Sequence, residues 1–435
     1  MIPVIAAWLA ITGVTVIDVH SGARRAGSTV LIRDSRIEAV GARVAIPAGA
    51  QKMDGRGKFL IPGLWDMHVH LGGVEEDWFP LYLANGVTGL REMASSVENL
   101  AKLQRYRARV DRGEIIGPHI VAAATPIDRR SLEKPAPFGV LTAADARAAV
   151  DYEKSLGVDL VKIYDGLTRD AFFAIIDEAK KQGLTVSGHM PDTVSPFEAS
   201  DAGMKSIEHM DGLLLGCSKA EGWLRRQWLA GQGPRADMLL STFDASRAAS
   251  LGARFARNGT WQCPTFTEQR FEANIDDPAM INDPRLRYVR KDYLDDWMRQ
   301  RNEPYYRLTD KRLFGKNLEI AGILYRSGAK FLAGTDTPFA YCIPGFALHD
   351  ELRWLVKAGL TPLVALQAAT LNPAEYLARS DSMGAVEAGK LADLVLLNAD
   401  PLADIGNVDK ISAVIVGGKV ADPGMLLRKV EAAVR

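Results

Sequence analysis

Hydrophobic and polar positions alternate with two different patterns along this chain. Over residues 11–60, short runs such as ITGVTVIDVH and STVLIRDSRIEAVG alternate apolar with polar positions and end in glycine-rich turns, as half-buried strands do. The same pattern returns from residue 383 onward, in segments such as KLADLVLLN and ISAVIVGGKV. We therefore expect residues 1–60 and 383–435, from both chain ends, to form one small β-sandwich domain.

Between these segments, from residue 61 to residue 382, short apolar runs alternate with helical stretches of ten or more residues. The runs are LIPGLWDMHVH, VTGLRE, HIVAAA, DLVKIY, LTVSGH, KSIEHM, TWQCPTF and KFLAGTD. Helical stretches such as TAADARAAVDYEKSLG and TRDAFFAIIDEAKKQG lie between them, and several end in glycine. Eight β/α units predict an α/β fold of the (β/α)8 TIM-barrel class.

A stretch rich in aromatic and charged residues extends from about residue 270 to residue 316, within the span between the sixth and eighth units. We expect a helical insertion over the loop that follows the seventh strand. Three roles stay open for it: a lid, a contact between copies of the chain, or a solvated helical face.

Composition narrows the function classes. The 53 basic and 53 acidic residues cancel, so no charge excess indicates nucleic-acid binding. No apolar stretch is long enough to cross a membrane. The cysteines, Cys217, Cys263 and Cys342, are scattered and form neither a disulfide framework nor a cysteine metal motif. The apolar start MIPVIAAWLA lacks basic residues, so cytoplasmic and exported (periplasmic) locations both stay open.

Two of the seven histidines, His68 and His70, stand one residue apart at the end of the first apolar run. Side chains two apart on a strand point to the same face, so both imidazoles converge on one point. Neighbouring imidazoles repel each other when protonated and lose hydrogen bonds when they are merely buried. The pair therefore favours a metal site over two packed core histidines.

Polar residues also end other runs of the series. They are Lys162 in DLVKIY, His189 in LTVSGH, His209 in KSIEHM and Asp336 in KFLAGTD. Barrel enzymes build their active sites at the C-terminal ends of the strands, so these side chains are expected to meet the histidine pair. Taken singly, each has an ordinary alternative, such as a salt-bridged lysine, a packed histidine or a helix-capping aspartate.

With these residues in place, the chain resembles the amidohydrolase superfamily. More narrowly, it is similar to the imidazolonepropionase-like branch that contains Xaa-Pro dipeptidases and related metallo-carboxypeptidases. The resemblance covers essentially the whole chain and implies a small-molecule substrate. It is carried by PGLWDMHVHL, DLVKIY, SGH, SIEH, AGTDT, HDELRWLVKAGLTPLVALQAATLNPA and GAVEAGKLADLVLL.

The resemblance implies a centre of two divalent metal ions. His68, His70 and Asp336 would bind one ion. His189 and His209 would bind the second. Zinc suits histidine and carboxylate ligands, and manganese, cobalt and nickel stay open.

The resemblance also implies that Lys162 is carboxylated to N6-carboxylysine and bridges both ions. An ammonium among four imidazoles has no lone pair to offer a metal, whereas a carbamate is an anionic oxygen ligand. Two metals about 3.5–4 Å apart would lower the pKa of a bridging water toward about 7. Asp336 would take the proton of the attacking hydroxide and pass it to the leaving nitrogen.

Residues farther from the metals are candidates for substrate binding. Arg91 in GLREM could bind a substrate carboxylate or form a salt bridge with a neighbouring helix. Tyr164 follows Lys162 by two residues and could donate a hydrogen bond at the mouth. His349 could contact substrate, orient Asp336, cap its helix or lie at the surface. In the dipeptidase relatives a tyrosine after the fifth-strand histidine grips the substrate carboxylate, and here that position is Met190.

The sequence thus predicts a binuclear metal-dependent hydrolase that cleaves a C–N amide bond by attack of a metal-bridging hydroxide. A dipeptide or an N-acyl amino acid is the leading substrate class. The same site could act on a carbamate, a urea, a cyclic amide or a lactone, because the loops set the pocket shape. A non-catalytic scaffold is disfavoured because all six ligand positions are present. Assembly into a homo-oligomer stays open.

Overall fold

The computed structural model describes residues 8–72, 78–132, 135–233, 235–307 and 310–434. Strands occur in both end segments and in the central region. In chain order they are β1 (Trp8–Ile17), β2 (Arg24–Arg33), β3 (Arg36–Gly41), β4 (Gln51–Asp54), β5 (Phe59–Pro62), β6 (Leu64–Val69), β7 (Val87–Glu92), β8 (His119–Ala122), β9 (Asp128–Arg129), β10 (Gly139–Val140), β11 (Val161–Ile163), β12 (Val186–Gly188), β13 (Ser206–Glu208), β14 (Trp261–Cys263), β15 (Leu394–Leu397), β16 (Ile411–Val416) and β17 (Lys419–Ala421).

Helices fill most of the central region. They are α1 (Phe79–Ala84), α2 (Val97–Asp111), α3 (Ala143–Leu156), α4 (Arg169–Lys181), α5 (Pro196–Ala202), α6 (Leu213–Gly216), α7 (Glu221–Leu229), α8 (Ala236–Thr242), α9 (Ala245–Asn258), α10 (Phe266–Ala273), α11 (Pro278–Ile281), α12 (Lys291–Asn302), α13 (Pro304–Arg307), α14 (Lys311–Arg326), α15 (Phe346–Lys357), α16 (Pro362–Ala368), α17 (Leu371–Tyr376) and α18 (Pro423–Val434). Within the described ranges, each helix is too short or too polar to cross a lipid bilayer.

The strands of the two chain ends join in one mixed sheet. Its order is β17-β16-β15-β5-β1-β2-β3, and β4 branches from it by pairing with β1. The junction between the two ends is the antiparallel pair β5 and β15. Alternating apolar residues such as Ile11, Ile32, Leu394 and Ile415 enclose a core of their own. The period-two pattern therefore has a physical cause, since one face of these strands is buried.

Seven of the eight central apolar runs contain parallel strands. β6, β7 and β8 form one parallel sheet, and β11, β12, β13 and β14 form another. The eighth run is not a regular strand. Phe331 forms an isolated parallel bridge with Gln262 of β14, and Thr337 forms one with Val69 of β6.

The opposite edges of the two parallel sheets also come together. Ile127 forms an isolated parallel bridge with Ile163 of β11. The backbone N–H of Asp159 donates to the carbonyl of Ala122 at the end of β8, at 2.9 Å. Parallel strands in one such arrangement direct their carboxyl ends to the same side, where ligands bind.

The described part of residues 270–316 is largely helical. The helices α10 to α13 enclose a local apolar cluster that includes Phe271, Met280 and Trp297. The indole N–H of Trp297 donates to the carbonyl of Pro338 at 3.0 Å. This contact ties α12 to the loop that follows Asp336, so the insertion supports the chain next to the predicted site.

Candidate metal centre

The predicted ligands lie at the carboxyl ends of the parallel strands. His68 lies in β6, and Lys162 is the central residue of β11. His189 and His209 directly follow β12 and β13. The φ angle of His209 is +59°, a left-handed conformation that non-glycine residues rarely adopt. Such backbone conformations concentrate at functional sites because the surrounding structure must hold them.

Five of the ligand side chains form one contiguous cluster. Nε2 of His68 and Nε2 of His70 lie 3.1 Å and 2.9 Å from the same oxygen, Oδ1 of Asp336. The imidazole of His209 lies between two others, with ring centroids 4.6 Å from His68 and 4.7 Å from His189. The structure therefore brings together side chains from distant parts of the sequence. His68 and Asp336, for example, are 268 residues apart.

Three buried polar atoms in this cluster have no hydrogen-bond partner among the described residues. They are Nε2 of His68, Nζ of Lys162 and Oδ1 of Asp336. Unpartnered buried polar atoms are costly and rare, so a group of three requires an explanation. A bound cation explains the imidazole nitrogen and the carboxylate oxygen. His68, His209 and Asp336 each offer a ligand atom within 4.8 Å of the others, which fits a metal site.

The electrostatics of the cluster also favour metal binding. Burial lowers the pKa of Lys162 and holds the pKa of His209 well below 6.5, so the imidazole of His209 offers a lone pair. Burial acts to raise the pKa of Asp336, but the neighbouring His70 and His68 outweigh it and hold that pKa well below 3.8. Burial acts to lower the pKa of His70, but Asp336 outweighs it and raises that pKa above 6.5. An anionic carboxylate among imidazoles provides the ligand types of a divalent metal site.

A carboxylate that the sequence reasoning missed orients His68. Nδ1 of His68 lies 2.8 Å from Oε2 of Glu208, so the protonated Nδ1 donates and Nε2 is left as a lone pair facing Asp336. This is the carboxylate–histidine arrangement that supports metal ligands. Glu208, His68 and Cys263 also lie close enough together to suggest a second metal site. The Arg91 guanidinium lies 2.8 Å from Oε2 of Glu208, however, and its positive charge repels a cation there. The sequence signal was Ser206 and Glu208, two polar residues on one face of a buried strand.

Arg91 is buried within this network and does not line the cavity. Its Nη1 donates to the hydroxyl of Tyr376 at 2.9 Å and to Ser206 at 3.1 Å, and its Nε donates to the carbonyl of Met67. These contacts and Glu208 occupy the guanidinium. The expected contact with a substrate carboxylate is therefore wrong for Arg91. The alternative of a salt bridge is right in kind, but its partner is Glu208 of strand β13 and not a neighbouring helix.

His349 also lies away from the cavity. It is 3% exposed on α15, its Nε2 lies 2.8 Å from the carbonyl of Asn85, and its Nδ1 lies 3.0 Å from Oδ1 of Asp409. Burial acts to raise the pKa of Asp409, but His349 and Arg353 lower it to about 2. The histidine thus links α15 to the segment after β15, and the expectation that it contacts substrate is wrong.

A cavity of about 650 Å³ opens onto the cluster. Tyr164 lines it, as predicted, with its ring centroid 4.6 Å from that of His189. Burial raises the pKa of Tyr164 to about 12, so its hydroxyl stays protonated and can donate. The lining residues, which include carboxylates and neither lysine nor arginine, are His70, Ala94, Tyr164, Asp165, His189, His209, Asp211, Glu268, Gln269, Glu272, Ala273, Tyr306, Leu313, Phe314, Asn317, Asp336 and Phe339.

Further polar residues hold the remaining ligands. Oδ2 of Asp211 lies 2.9 Å from Nδ1 of His189. The hydroxyl of Thr265 lies 2.8 Å from Nδ1 of His209. With Nδ1 as the donor in each contact, Nε2 of the histidine is left to offer a lone pair to a metal ion. Asp211 follows His209 by two residues in the motif IEHMD, and only the fold shows that it serves the histidine of another strand.

Asp66 orders the segment that carries Asp336. It accepts hydrogen bonds from the backbone N–H of Thr335 at 3.1 Å and from its hydroxyl at 2.6 Å. The backbone N–H of Asp336 donates to the carbonyl of His68 at 2.8 Å. The φ angle of Asp336 is +62°, and these hydrogen bonds hold that conformation.

Comparison with known proteins finds chains of similar sequence and similar fold. Ochratoxinase of Aspergillus niger is 23% identical to this chain over 447 residues, which cover 87% of this chain and 78% of that protein. The crystal structure of a Xaa-Pro dipeptidase with bound methionine has a TM-score of 0.71 at 20% identity, covering 96% of this chain and 100% of the dipeptidase. Bottromycin amidohydrolase has a TM-score of 0.75 at 23% identity, covering 98% of this chain and 90% of that chain.

The similarities to solved structures show a shared fold. Family membership rests on the sequence: the sequence profile of the amidohydrolase family matches residues 59–421, which contain every predicted metal ligand. Members of this family are hydrolases that use metal ions, and the cluster around Asp336 provides candidate ligands. This chain belongs to the amidohydrolase family.

Proposed function

We propose that this protein is a binuclear metal-dependent hydrolase that cleaves a C–N amide bond in a small substrate, either a dipeptide or an N-acyl amino acid. One observation carries the proposal: three buried atoms without hydrogen-bond partners among the described residues, on His68, Lys162 and Asp336, belong to one cluster with three further histidines. Two cations would give each of these groups a ligand bond. Membership of the amidohydrolase family supports the C–N bond as target.

The ligand assignment follows the positions in the cluster. His68, His70 and Asp336 would hold one ion, because both imidazoles face the same carboxylate oxygen. His189 and His209 would hold the other, with neighbouring rings. Zinc is the proposed metal because neutral histidines with few carboxylates suit it.

Lys162 would join the two groups as a carbamate. Burial lowers the pKa of Lys162, which favours the neutral amine. That amine would form an N–C bond with CO2 and release one proton, producing N6-carboxylysine. The modification would replace an unpartnered amine by a carbamate whose two oxygens share one negative charge. Gly188 provides room, since a Cβ there would lie 3.0 Å from Cδ of Lys162 and 2.2 Å from the carbonyl oxygen of Ile163.

The remaining steps belong to side chains of the chain itself. When bound, the two cations would supply Lewis acidity and a water molecule of lowered pKa. Asp336 would accept the proton of the attacking water on its carboxylate and deliver it to the leaving nitrogen. The protonated hydroxyl of Tyr164 would orient the substrate in the cavity by donating a hydrogen bond.

We also propose the fold in finer detail. The eight β/α units of residues 61–382 would form a closed (β/α)8 barrel with a helical insertion at about 270–316. Support comes from residues 331–337, which bridge β14 and β6, and from the contact between β8 and β11. The mixed sheet of residues 1–60 and 383–435 would form the small β-sandwich domain.

The test combines metal analysis with a substrate panel. We expect two metal ions per chain by elemental analysis, and hydrolysis of dipeptides or N-acyl amino acids. Lys162→Ala and Asp336→Ala should each lose metal and lower kcat by about 100-fold or more. Leu240→Ala, on helix α8 and away from the ligands, is the control. Full activity in either ligand variant would contradict the proposal.

The panel also contains a carbamate, a phenylurea, a cyclic amide and a lactone. Hydrolysis of one of these, with dipeptides and N-acyl amino acids untouched, would keep the metal centre and replace the substrate class. A metal-loaded protein that is inactive on every compound would favour the scaffold reading.

A further inference from the structure

A second cavity, which we name the side pocket, adjoins the cavity of the metal centre. Its volume is about 350 Å³. It shares Asp165, His209, Asp211, Leu313 and Asn317 with the larger cavity, so a group bound beside the metals has a direct neighbour in it. The side pocket therefore belongs to the path of any substrate that reaches His209.

The outer wall of the side pocket is apolar. It is formed by Met190, Leu214, Leu215, Trp228 and Leu239, which come from the loop after β12 and from the helices α6, α7 and α8. Met190 is 3% exposed and packs on the backbone of Gly212. A Cβ added to Gly212 would lie only 3.1 Å from the Cβ of Met190. Met190 is thus held against the pocket by close packing.

The charged groups of this wall are already engaged. Nη1 of Arg225 donates to the carbonyl of Asp192 at 2.7 Å, and Nη2 donates to Glu221 at 3.0 Å. At the boundary with the larger cavity, Asp211 pairs with His189 at 2.9 Å. Asp165 and Asp192 also line the side pocket, so a ligand there meets carboxylates as well as the carbon atoms of the apolar wall.

Trp228 adds exposed apolar surface to the side pocket. Its side chain lines the pocket, and the residue is 43% exposed. An indole presents a large apolar area that a ligand can cover. Its position next to the metal cavity points to the substrate as that ligand.

We propose that the side pocket binds an apolar side chain, aromatic or branched aliphatic, of the substrate residue next to the scissile amide. The inference rests on the proposed amide hydrolase function and specifies its substrate class. An apolar cavity of about 150 Å³ accommodates benzene, so the volume here is ample for a phenyl or an indole group. An apolar group in such a pocket changes kcat/KM by about 10- to 200-fold relative to a smaller one.

The experiment compares matched substrates on the metal-loaded protein. The pairs are N-acetyl-L-phenylalanine with N-acetyl-L-alanine, and Phe-Ala and Ala-Phe with Ala-Ala. We expect kcat/KM at least 10-fold higher for one phenylalanine compound, and its position identifies the side of the amide that enters the pocket. Leu239→Trp fills the pocket and should reduce this preference at least 10-fold.

Leu240→Trp is the matched control, because Leu240 is equally half-buried on α8 but does not line the pocket. It should keep the wild-type preference, and thermal unfolding checks that both variants are folded. Equal kcat/KM for the phenylalanine and alanine compounds in the wild type would contradict the proposed role of the side pocket. The same preference for phenylalanine in Leu239→Trp and Leu240→Trp would contradict it too.

A different result would overturn the proposed function instead. If no panel member is hydrolysed by protein that carries two metals, titration calorimetry with N-acetyl-L-phenylalanine and N-acetylglycine tests the pocket alone. The proposed role of the pocket is supported if Leu239→Trp weakens the binding of N-acetyl-L-phenylalanine at least 10-fold and Leu240→Trp does not. Equal binding of the two compounds contradicts it.

Discussion

Glu208 and Glu153 are both completely buried carboxyl groups, and they differ in what surrounds them. Glu208 lies beneath His68 and accepts hydrogen bonds from Arg91, Ser206 and the imidazole. Neither carboxyl oxygen of Glu153, on helix α3, has a partner among the residues that the structure describes. Because both carboxyl groups are equally buried, the comparison shows how hydrogen-bond and ion-pair partners affect the pKa of a buried carboxyl.

The pKa values of the two groups move in opposite directions. Burial acts to raise the pKa of Glu208, but Arg91 and His68 outweigh it and hold the pKa well below 4.5. Burial alone raises the pKa of Glu153 well above 4.5. Of these two buried carboxyls, only Glu208 is an anion, because the Arg91 cation is buried with it beneath the candidate metal centre.

Removal of Glu208 should have the largest effect. Glu208→Ala leaves the Arg91 guanidinium buried without its counter-charge, and breaking a buried ion pair in this way costs about 3–5 kcal/mol. It also frees His68 to rotate, which should weaken metal binding about 10- to 100-fold. Urea unfolding of the metal-free protein and metal titration measure the two effects separately.

Glu208→Gln is the conservative control for this experiment. It keeps an oxygen that accepts from Nδ1 of His68 and should recover part of the metal affinity. Unchanged metal affinity in Glu208→Ala would show that His68 is oriented without Glu208.

Removing both charges should cost less than the sum of the single losses. Arg91→Met leaves Glu208 as an unpaired anion, whereas Arg91→Met with Glu208→Met leaves no buried charge. We expect a coupling free energy of about 1–3 kcal/mol in the double-mutant cycle, measured by urea unfolding. Additive losses would mean that the two groups do not stabilise each other.

Glu153 should respond in the opposite way, with a smaller effect. Glu153→Met replaces an unpartnered carboxyl by an apolar side chain of similar volume, which should stabilise the protein by about 1–3 kcal/mol at pH 7. The folded state of the wild type keeps a proton that the unfolded chain releases above pH 4.5, so its stability falls as pH rises through that range. The advantage of Glu153→Met should therefore be small at pH 4 and grow toward pH 7.

Glu153→Gln separates titration from polarity. It removes the pH dependence but keeps an unpartnered polar group, so it should stabilise less than Glu153→Met. A pH-independent difference between Glu153→Met and the wild type would show that this carboxyl does not retain its proton on folding.

A partly exposed pair should have the smallest effect. Nε2 of His119 lies 2.9 Å from Oδ2 of Asp393, which joins β8 to the mixed sheet. Burial acts to lower the pKa of His119, but Asp393 outweighs it and the pKa is raised above 6.5. The resulting stabilisation is present below pH 6.5 and is lost as pH rises through the raised pKa.

His119→Gln should remove this pH dependence and change the free energy of unfolding by less than about 1 kcal/mol, because the pair is partly solvated. Urea unfolding between pH 5.5 and pH 8.5 provides the measurement. A difference that stays constant over this range would exclude protonation of His119 as its cause.

The sequence predicted most of the elements and the cluster. Hydrophobic periodicity predicted seven of the eight central strands and the pairing of strands from both chain ends. It could do so because each strand buries one face or both faces, and this burial shows in the order of apolar and polar residues along the strand. The cluster of candidate ligands was predictable because histidines two apart, and polar residues that end apolar runs, are costly unless they bind something.

The eighth strand and the outer residues were not predictable in this way. The KFLAGTD run looks like a strand, but Asp336 has a left-handed backbone that Asp66 and Thr335 hold through hydrogen bonds. Arg91 and His349 had suitable residue types for substrate contact. Whether a charged side chain meets the cavity or a buried counter-charge depends on the neighbouring strands.

The sequence by itself determined the family, the β/α order and the residues able to bind metal, because each depends on residue type and local spacing. Only the tertiary structure decided that Glu208 serves His68, that Asp211 serves His189, and that Met190 faces a pocket with Trp228. Those contacts join distant segments, and the energy of a buried charge or an apolar wall depends on the neighbours that folding assembles around it.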